Sequence, residues 1–410
     1  MTRCETLGAT SRRLESIDIL RGVAVLGILF MNVQTFAMPV EAYSDPYAFG
    51  SLEGINGVVW QWTHLLADMK FMSIFSMLFG AGIVLFIERL EGSGRPGLHL
   101  HIRRMLWLLL IGMIHAYAIW FGDILVGYAL CGMLVVWLRG LPPWLLLGIG
   151  LGLAAVTSLV MLAIGGFLLA KSPEAGIEAI SGGLSPSDSI AWQLESYQGG
   201  WFQQLDHRVR TSRDMQLLYF PLWLLWRGSG MMLVGMALYR WGFFSAVRSI
   251  RFYTTCLILG AGSGIPLIWW GIDLNETAGD DPVRAKFLFS QLNYWGSIPV
   301  ALAWIAAVML FVRSEVIRWF RQALAAVGRM ALTNYLLQSI LCSLIFYGTG
   351  LGRYGDASRG EQFMVASGIC LVQLAWSPVW LTFFRFGPME WFWRSLTYWQ
   401  IPPLRHQADL

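Results

Sequence analysis

Asn32, His64, Asp68, His115, Asp123, Arg227, Asn334 and Gln338 all fall within or at the edge of strongly apolar stretches of the chain. Polar and ionisable groups in such segments are costly unless they face a shared interior, so together they point to a functional cavity inside a helical bundle. Imidazole is the usual general base near neutral pH, and a carboxylate partner fixes its tautomer and supports the imidazolium. A His–Asp pair in a water-restricted cavity can deprotonate an alcohol or amine as it attacks an activated acyl group. Asn32 or a backbone N–H would then stabilise the oxyanion. Arg227 would neutralise a phosphate or carboxylate on the donor. His64 and Asp68 are spaced i, i+4, as are Asn334 and Gln338, so each pair shares a face if helical.

Each of these groups also has a purely structural reading. His115 or His64 can bond a neighbouring helix, Asp123 can cap a helix or turn, and Asp68 can pair with Lys70 or Arg227. Asn334 and Gln338 can tie helices together. His99 and His101, in an arginine-rich loop, read as solvated surface. The five cysteines show neither CxxC nor metal-ligand spacing and four lie in apolar segments, which reads as small hydrophobes. No HExxH pattern or P-loop glycine run occurs, so no metal site is expected.

The elements that must position these residues follow from composition. Apolar residues make up 56% of the chain and charged ones only 13%, against about 25% charged in a soluble domain. The expected class is therefore an all-α, polytopic integral membrane bundle. About 20 apolar residues cross a bilayer, and ten segments qualify, near 17–38, 67–88, 105–121, 124–139, 144–170, 216–239, 252–271, 288–312, 323–347 and 363–384. The stretch 105–139 reads as a hairpin turning at Gly122-Asp123 with a short second arm. The first apolar run is too long for a signal peptide and reads as a retained span. Tight or bent places are expected at Pro142-Pro143 and around Gly262–Pro266.

Arginines gather in alternate connections (Arg89, Arg95, Arg103 and Arg104; Arg240, Arg248 and Arg251; Arg313, Arg318 and Arg321), whereas three of the others are mainly acidic, one of them holding Asp273, Glu276, Asp280 and Asp281. The positive-inside rule then puts both termini in the cytoplasm. On that orientation Asn32, His115, Asp123, His64 and Asp68 form one extracytoplasmic cluster, with His115 near the midplane at about 1.5 Å per residue. The expected organisation is a cytoplasmic tail 1–16, a five-span half 17–170, an outer loop 171–215, a second five-span half 216–384 and a cytoplasmic tail 385–410. From Ser187 onward the outer loop reads as one or two amphipathic helices.

The opening Ser16-Ile17-Asp18-Ile19-Leu20-Arg21-Gly22 with Gly27 and Asn32 resembles the YeiB-like family of bacterial membrane proteins. So do Asp68-Met69-Lys70-Phe71, His115 with Trp120-Phe121-Gly122-Asp123, Gly328-Arg329-Met330-Ala331-Leu332-Thr333-Asn334-Tyr335 with Gln338, and Gly387-Pro388-Met389-Glu390-Trp391. More distantly, the Asp-x-Leu-Arg-Gly start is similar to that of membrane acyltransferases acting on bacterial surface polysaccharides or on heparan glucosamine. That resemblance implies a pore through which a cytoplasmic thioester reaches an acceptor on the far side. The polysaccharide enzymes carry a histidine ten residues beyond the motif arginine's successor position; here that place is Asn32.

The leading expectation is thus a multi-pass acyltransferase of the cytoplasmic (inner) membrane, using cytoplasmic acyl-CoA, such as acetyl-CoA, as donor. The acceptor would be a hydroxyl or amine of an extracytoplasmic glycan or small molecule. His115 is the expected base, Asp123 its orienting partner and Asn32 an oxyanion or acceptor contact, with Arg21 and Arg329 near the inner face for donor phosphates. Membrane lipids surround it, nucleic acid is not a partner, and homo-oligomerisation is left open. The rivals are a transporter or exporter of a small or amphipathic solute and a non-catalytic membrane partner that docks another protein through its outer loop.

Overall fold

The computed structural model describes residues 3–171, 186–277, 281, 283–314 and 316–406; Asp280 of the acidic connection lies outside them. Fifteen helices carry the argument. They are α1 (Arg3–Ala37), α2 (Ile55–Leu66), α3 (Lys70–Glu91), α4 (Gly97–Ala118), α5 (Leu125–Val135), α6 (Pro143–Leu169), α7 (Pro186–Gln198), α8 (Trp201–Asp214), α9 (Leu225–Arg240), α10 (Ile250–Thr277), α11 (Ser290–Ser314), α12 (Arg318–Arg329), α13 (Ala331–Phe346), α14 (Arg359–Phe383) and α15 (Pro388–Tyr398). The described residues hold no strand, only one isolated bridge between Phe384 and Arg405.

Eight helical stretches are long and apolar enough to cross a membrane, and a ninth arises if the bent pair α12–α13 counts as one span. The short apolar helix Leu125–Leu138 is the second arm of the expected hairpin. The chain is a multi-pass membrane protein. With no water in the hydrocarbon to satisfy backbone groups, helices that bond internally are the form such segments take.

Burial differs between helices. α1, α3 and α11 lie at the centre, whereas α6, α10 and α14 present apolar faces outward, where lipid would replace water. Close approach at the centre rests on glycine. A Cβ on Gly22 of α1 would overlap the Leu324 carbonyl of α12, and one on Gly328 of α12 would overlap the Asp18 carbonyl of α1. Small residues at such crossings let backbones touch and maximise van der Waals contact.

Three places refine the expected helices. α10 runs as one helix with Pro266 inside it, and an 82° bend separates α12 from α13. His64 and Asp68 do not share one helix: α2 ends at Leu66 and α3 begins at Lys70, with Met69 in the left-handed region at φ 60°. α1 already begins at Arg3, ahead of its apolar, span-length part Glu15–Ala37.

The 171–215 connection, whose residues 172–185 lie outside the described ones, contains two helices, α7 and α8. α8 is more than a connector: Ser212 Oγ donates to Ala116 O (2.9 Å), Arg208 Nε to Tyr117 O (2.9 Å) and Trp201 Nε1 to Ala118 O (3.0 Å). The last carbonyls of a helix have no partner of their own; α8 satisfies those that end α4, the helix carrying His115.

Candidate active site

His115 occupies the last turn of α4 and Asp123 the turn into α5. His115 Nδ1 lies 2.7 Å from Asp123 Oδ1, with side chains 1% and 2% exposed. Asp123 Oδ2 accepts from Val126 N at 2.7 Å, so the same carboxylate caps α5 and fixes the imidazole. The two readings of Asp123, helix cap and histidine partner, coexist in one side chain. His115 Nε2, fully buried, has no hydrogen-bond partner among the described residues, and neither has the buried Trp120 Nε1. The two rings meet edge-on at 6.3 Å. Buried polar groups usually find partners, so these two unpaired nitrogens set this turn apart from the helix-tying polar groups elsewhere in the bundle.

Tyr335 of α13 also packs against the imidazole, with ring centroids 5.3 Å apart. Tyr335 and Ile124 are also wall residues of a cavity of about 200 Å³. That cavity runs past Tyr128, Phe75, Phe79 and Leu108 to Arg21, Arg104, Arg329, Glu390 and Trp393. From Arg104 to His115 is eleven residues of α4, about 16 Å at about 1.5 Å per residue. The His–Asp pair is therefore about half a hydrocarbon thickness from the arginines.

The arginine end keeps a cationic surplus. Arg21 pairs with Asp18 at 2.8 Å, while Arg104 lies over the Trp393 ring at 4.2 Å and the Phe86 ring at 4.7 Å. The Glu390 carboxylate is already committed. It accepts from Leu332 N (2.7 Å), Thr333 N (3.1 Å) and Thr333 Oγ1 (2.6 Å), capping α13 at the 82° bend. Burial pushes the Glu390 carboxyl above its usual range, and these donors oppose that shift.

The expected single cluster is two centres, with no hydrogen bond or ion pair between them among the described residues. In the second, Asp68 accepts from Tyr43 Oη and from Asn293 Nδ2, both at 2.7 Å, and His64 Nδ1 lies 3.4 Å from it. Lys70 Nζ donates to Asn293 Oδ1 and His64 O, both at 2.6 Å. Asn293 thus bridges the buried carboxylate and ammonium.

The other expected site residues sort by position. Arg227 is fully buried and bonds Tyr294 O (3.1 Å), Ser73 Oγ (3.1 Å) and Ser297 Oγ (2.6 Å), away from the arginine end. Asn334 and Gln338 tie helices: Asn334 Nδ2 donates to Val327 O and Ser377 Oγ, and Gln338 Nε2 to Val25 O and Gln373 Oε1. Asn32 is half-buried one turn before Phe36, which stacks on Trp120 at 4.1 Å; its side chain bonds neither His115 nor Asp123. His101, expected at the surface, is buried with Nε2 3.1 Å from Gly132 O, because α4 starts already at Gly97; His99 is exposed. Sequence reasoning did not single out Trp120, Tyr335, Arg104 or Asn293. Trp120 and Tyr335 had one signal, their place in the quoted motifs; Arg104 stood only among the loop arginines and Asn293 had none.

Comparison with known proteins decides the family. The chain is 31% identical over 426 residues to "Uncharacterized protein YxaH" of Bacillus subtilis (strain 168), covering 98% of each. It is 31% identical over 401 residues to "Uncharacterized protein YeiB" of Escherichia coli (strain K12), covering 93% of this chain and 95% of the relative. The chain belongs to the YeiB-like family. A family profile described as "Protein of unknown function (DUF418)" matches residues 238–400, the part running from the end of α9 through α15. A 39.9 kDa protein from the amylase 3' region of Bacillus acidopullulyticus is 26% identical over 403 residues, covering 98% of this chain. The relatives from Bacillus subtilis and Bacillus acidopullulyticus each cover 98% of this chain, so both the His115–Asp123 turn and the arginine end lie within the length shared with them.

Proposed function

We propose that this YeiB-like protein is an acyltransferase of the cytoplasmic membrane, moving an acyl group from cytoplasmic acyl-CoA to a hydroxyl or amine of an extracytoplasmic acceptor. The observation that carries the reading is a buried His–Asp pair with its second imidazole nitrogen unpaired among the described residues, packed against Tyr335, which also lines the cavity that reaches the arginine-rich end. Arg21, Arg104 and Arg329 would hold the donor's phosphates, since guanidinium forks match phosphate oxygens. The apolar walls suit a slender thioester-bearing chain. His115 Nε2 would take the acceptor's proton as its oxygen or nitrogen attacks the thioester carbonyl. The C–S bond then breaks, and the CoA thiolate recovers the proton from the imidazolium. Asp123 holds the imidazole with Nε2 free, and the Trp120 N–H is available to the developing oxyanion.

A second reading, export of a small or amphipathic solute, draws on one observation: the broken α12–α13 pair borders the same cavity, and interrupted helices often frame transporter sites. Against it, the freed N-terminus of α13 is already filled by Glu390. The deciding experiment is calorimetric titration of detergent-purified protein with acetyl-CoA, with Arg21→Ala and Arg329→Ala alongside. Saturable binding that the arginine variants lose supports the transferase; none at millimolar acetyl-CoA, in folded protein, moves the case to export.

A further inference from the structure

Away from that site, α1, α2, α3, α11, α12 and α14 border an apolar groove of about 800 Å³, walled by Leu26, Phe30, Leu66, Phe71, Trp304 and Phe320 among others. Phe30, Val59, Thr63 and Phe363 belong both to this groove and to a smaller polar recess that adds Gln34, Gln362 and Arg359. Neither recess nor groove has an acidic residue in its walls. The two together run along α1 from Val23 to Gln34, eleven residues or about 16 Å. That is close to one leaflet of a hydrocarbon core about 30 Å thick.

Arg359 gives the polar end its character. It is 3% exposed, it donates to Ser51 O (3.1 Å), Pro46 O (2.9 Å) and Phe49 O (3.2 Å), and its buried Nε has no partner. These partners are neutral carbonyls, and Arg359 makes no ion pair among the described residues. The nearby Glu361 carboxylate is turned to Ser358 and to Arg353, 3.0 Å away. Such a buried cation at the head of a leaflet-deep apolar groove is complementary to an amphiphile with an anionic head.

We infer that this groove binds a phosphate-bearing membrane lipid, its chain along α1 and α11 and its phosphate on Arg359. The site lies at the end of α1 opposite Arg21, so it is distinct from the donor cavity, and its occupancy does not depend on acyl transfer. The probe is dodecyl phosphate added to the full chain in a maltoside detergent, read by native mass spectrometry and thermal shift, with inorganic phosphate and dodecanol as comparison ligands.

Saturable binding of dodecyl phosphate alone, weakened about tenfold or more in Arg359→Gln and abolished in Ala307→Trp, which fills the groove wall, supports the site. Arg359→Lys, which keeps the charge and loses the fork, should fall between. Ala307→Trp keeps the test decisive if Arg359→Gln fails to fold. Equal binding in the wild type and Ala307→Trp means annular lipid only and overturns the proposal. Equal affinity for dodecanol overturns the phosphate, and affinity for inorganic phosphate without the chain overturns the lipid.

Discussion

His115 and Asp123, eight residues apart in sequence, face each other across the α4–α5 turn with Nδ1 and Oδ1 separated by 2.7 Å, and the far nitrogen of the imidazole is left without a partner. A carboxylate that both caps the next helix and holds the ring gives the imidazole one orientation. That fixes which nitrogen is free to exchange a proton.

His115→Ala should abolish acyl transfer in membrane vesicles supplied with radiolabelled acetyl-CoA, a loss of at least about 10²–10⁴-fold, the usual worth of general base catalysis. Elution of the variant as a monodisperse peak would show that folding is intact. Near-full activity in the variant would remove His115 from the mechanism.

Asp123→Asn tests orientation. The amide has one acceptor oxygen for two tasks, the Val126 N–H and the imidazole, so it should cost about tenfold or more in kcat with little change in KM for the donor. A change confined to KM would assign Asp123 to binding instead.

Each of Arg21→Ala, Arg104→Ala and Arg329→Ala should weaken acetyl-CoA binding by about tenfold, the worth of about 1.4 kcal/mol. Higher salt should weaken the wild type as well, because charges at the cavity end are screened. Calorimetry in low and high salt reads both. Unchanged affinity in all three variants would dissociate the arginine end from the donor.

Asn293→Leu should destabilise the fold by at least about 1–3 kcal/mol, because Asp68 and Lys70 each lose a buried partner that nothing replaces. Thermal unfolding in detergent measures it, and an unchanged midpoint would mean that water enters this centre freely.

Gly328→Ala should cost about 1–3 kcal/mol through overpacking of α1 on α12. Gly152→Ala, where a Cβ meets nothing within 4 Å, should be close to neutral in the same melts.

Much of the arrangement was legible in the residues. Apolar runs specify helices because lipid offers backbone groups no alternative partner, and all ten expected segments are helical, the hairpin with its short second arm included. The nearness of His115 to Asp123 followed from the turn between them. The cluster's division into two was not legible, because distance between non-adjacent helices is set by packing. Asn293, 225 residues from Asp68, gave no local sign of its bridge.

By itself the sequence determined the class of the protein, the helices and the pairing of His115 with Asp123, all of which depend on local hydropathy and short spacing. Only the tertiary structure decided that Arg227 is locked among Tyr294, Ser73 and Ser297, that Asn334 and Gln338 tie helices, and that Arg21, Arg104 and Arg329 share one cavity with Tyr335. Those outcomes rest on which faces of distant helices meet. Glycine contacts such as Gly22 against α12 and the 82° turn at Met330 set those meetings, and neither has a periodicity that the chain displays in one dimension.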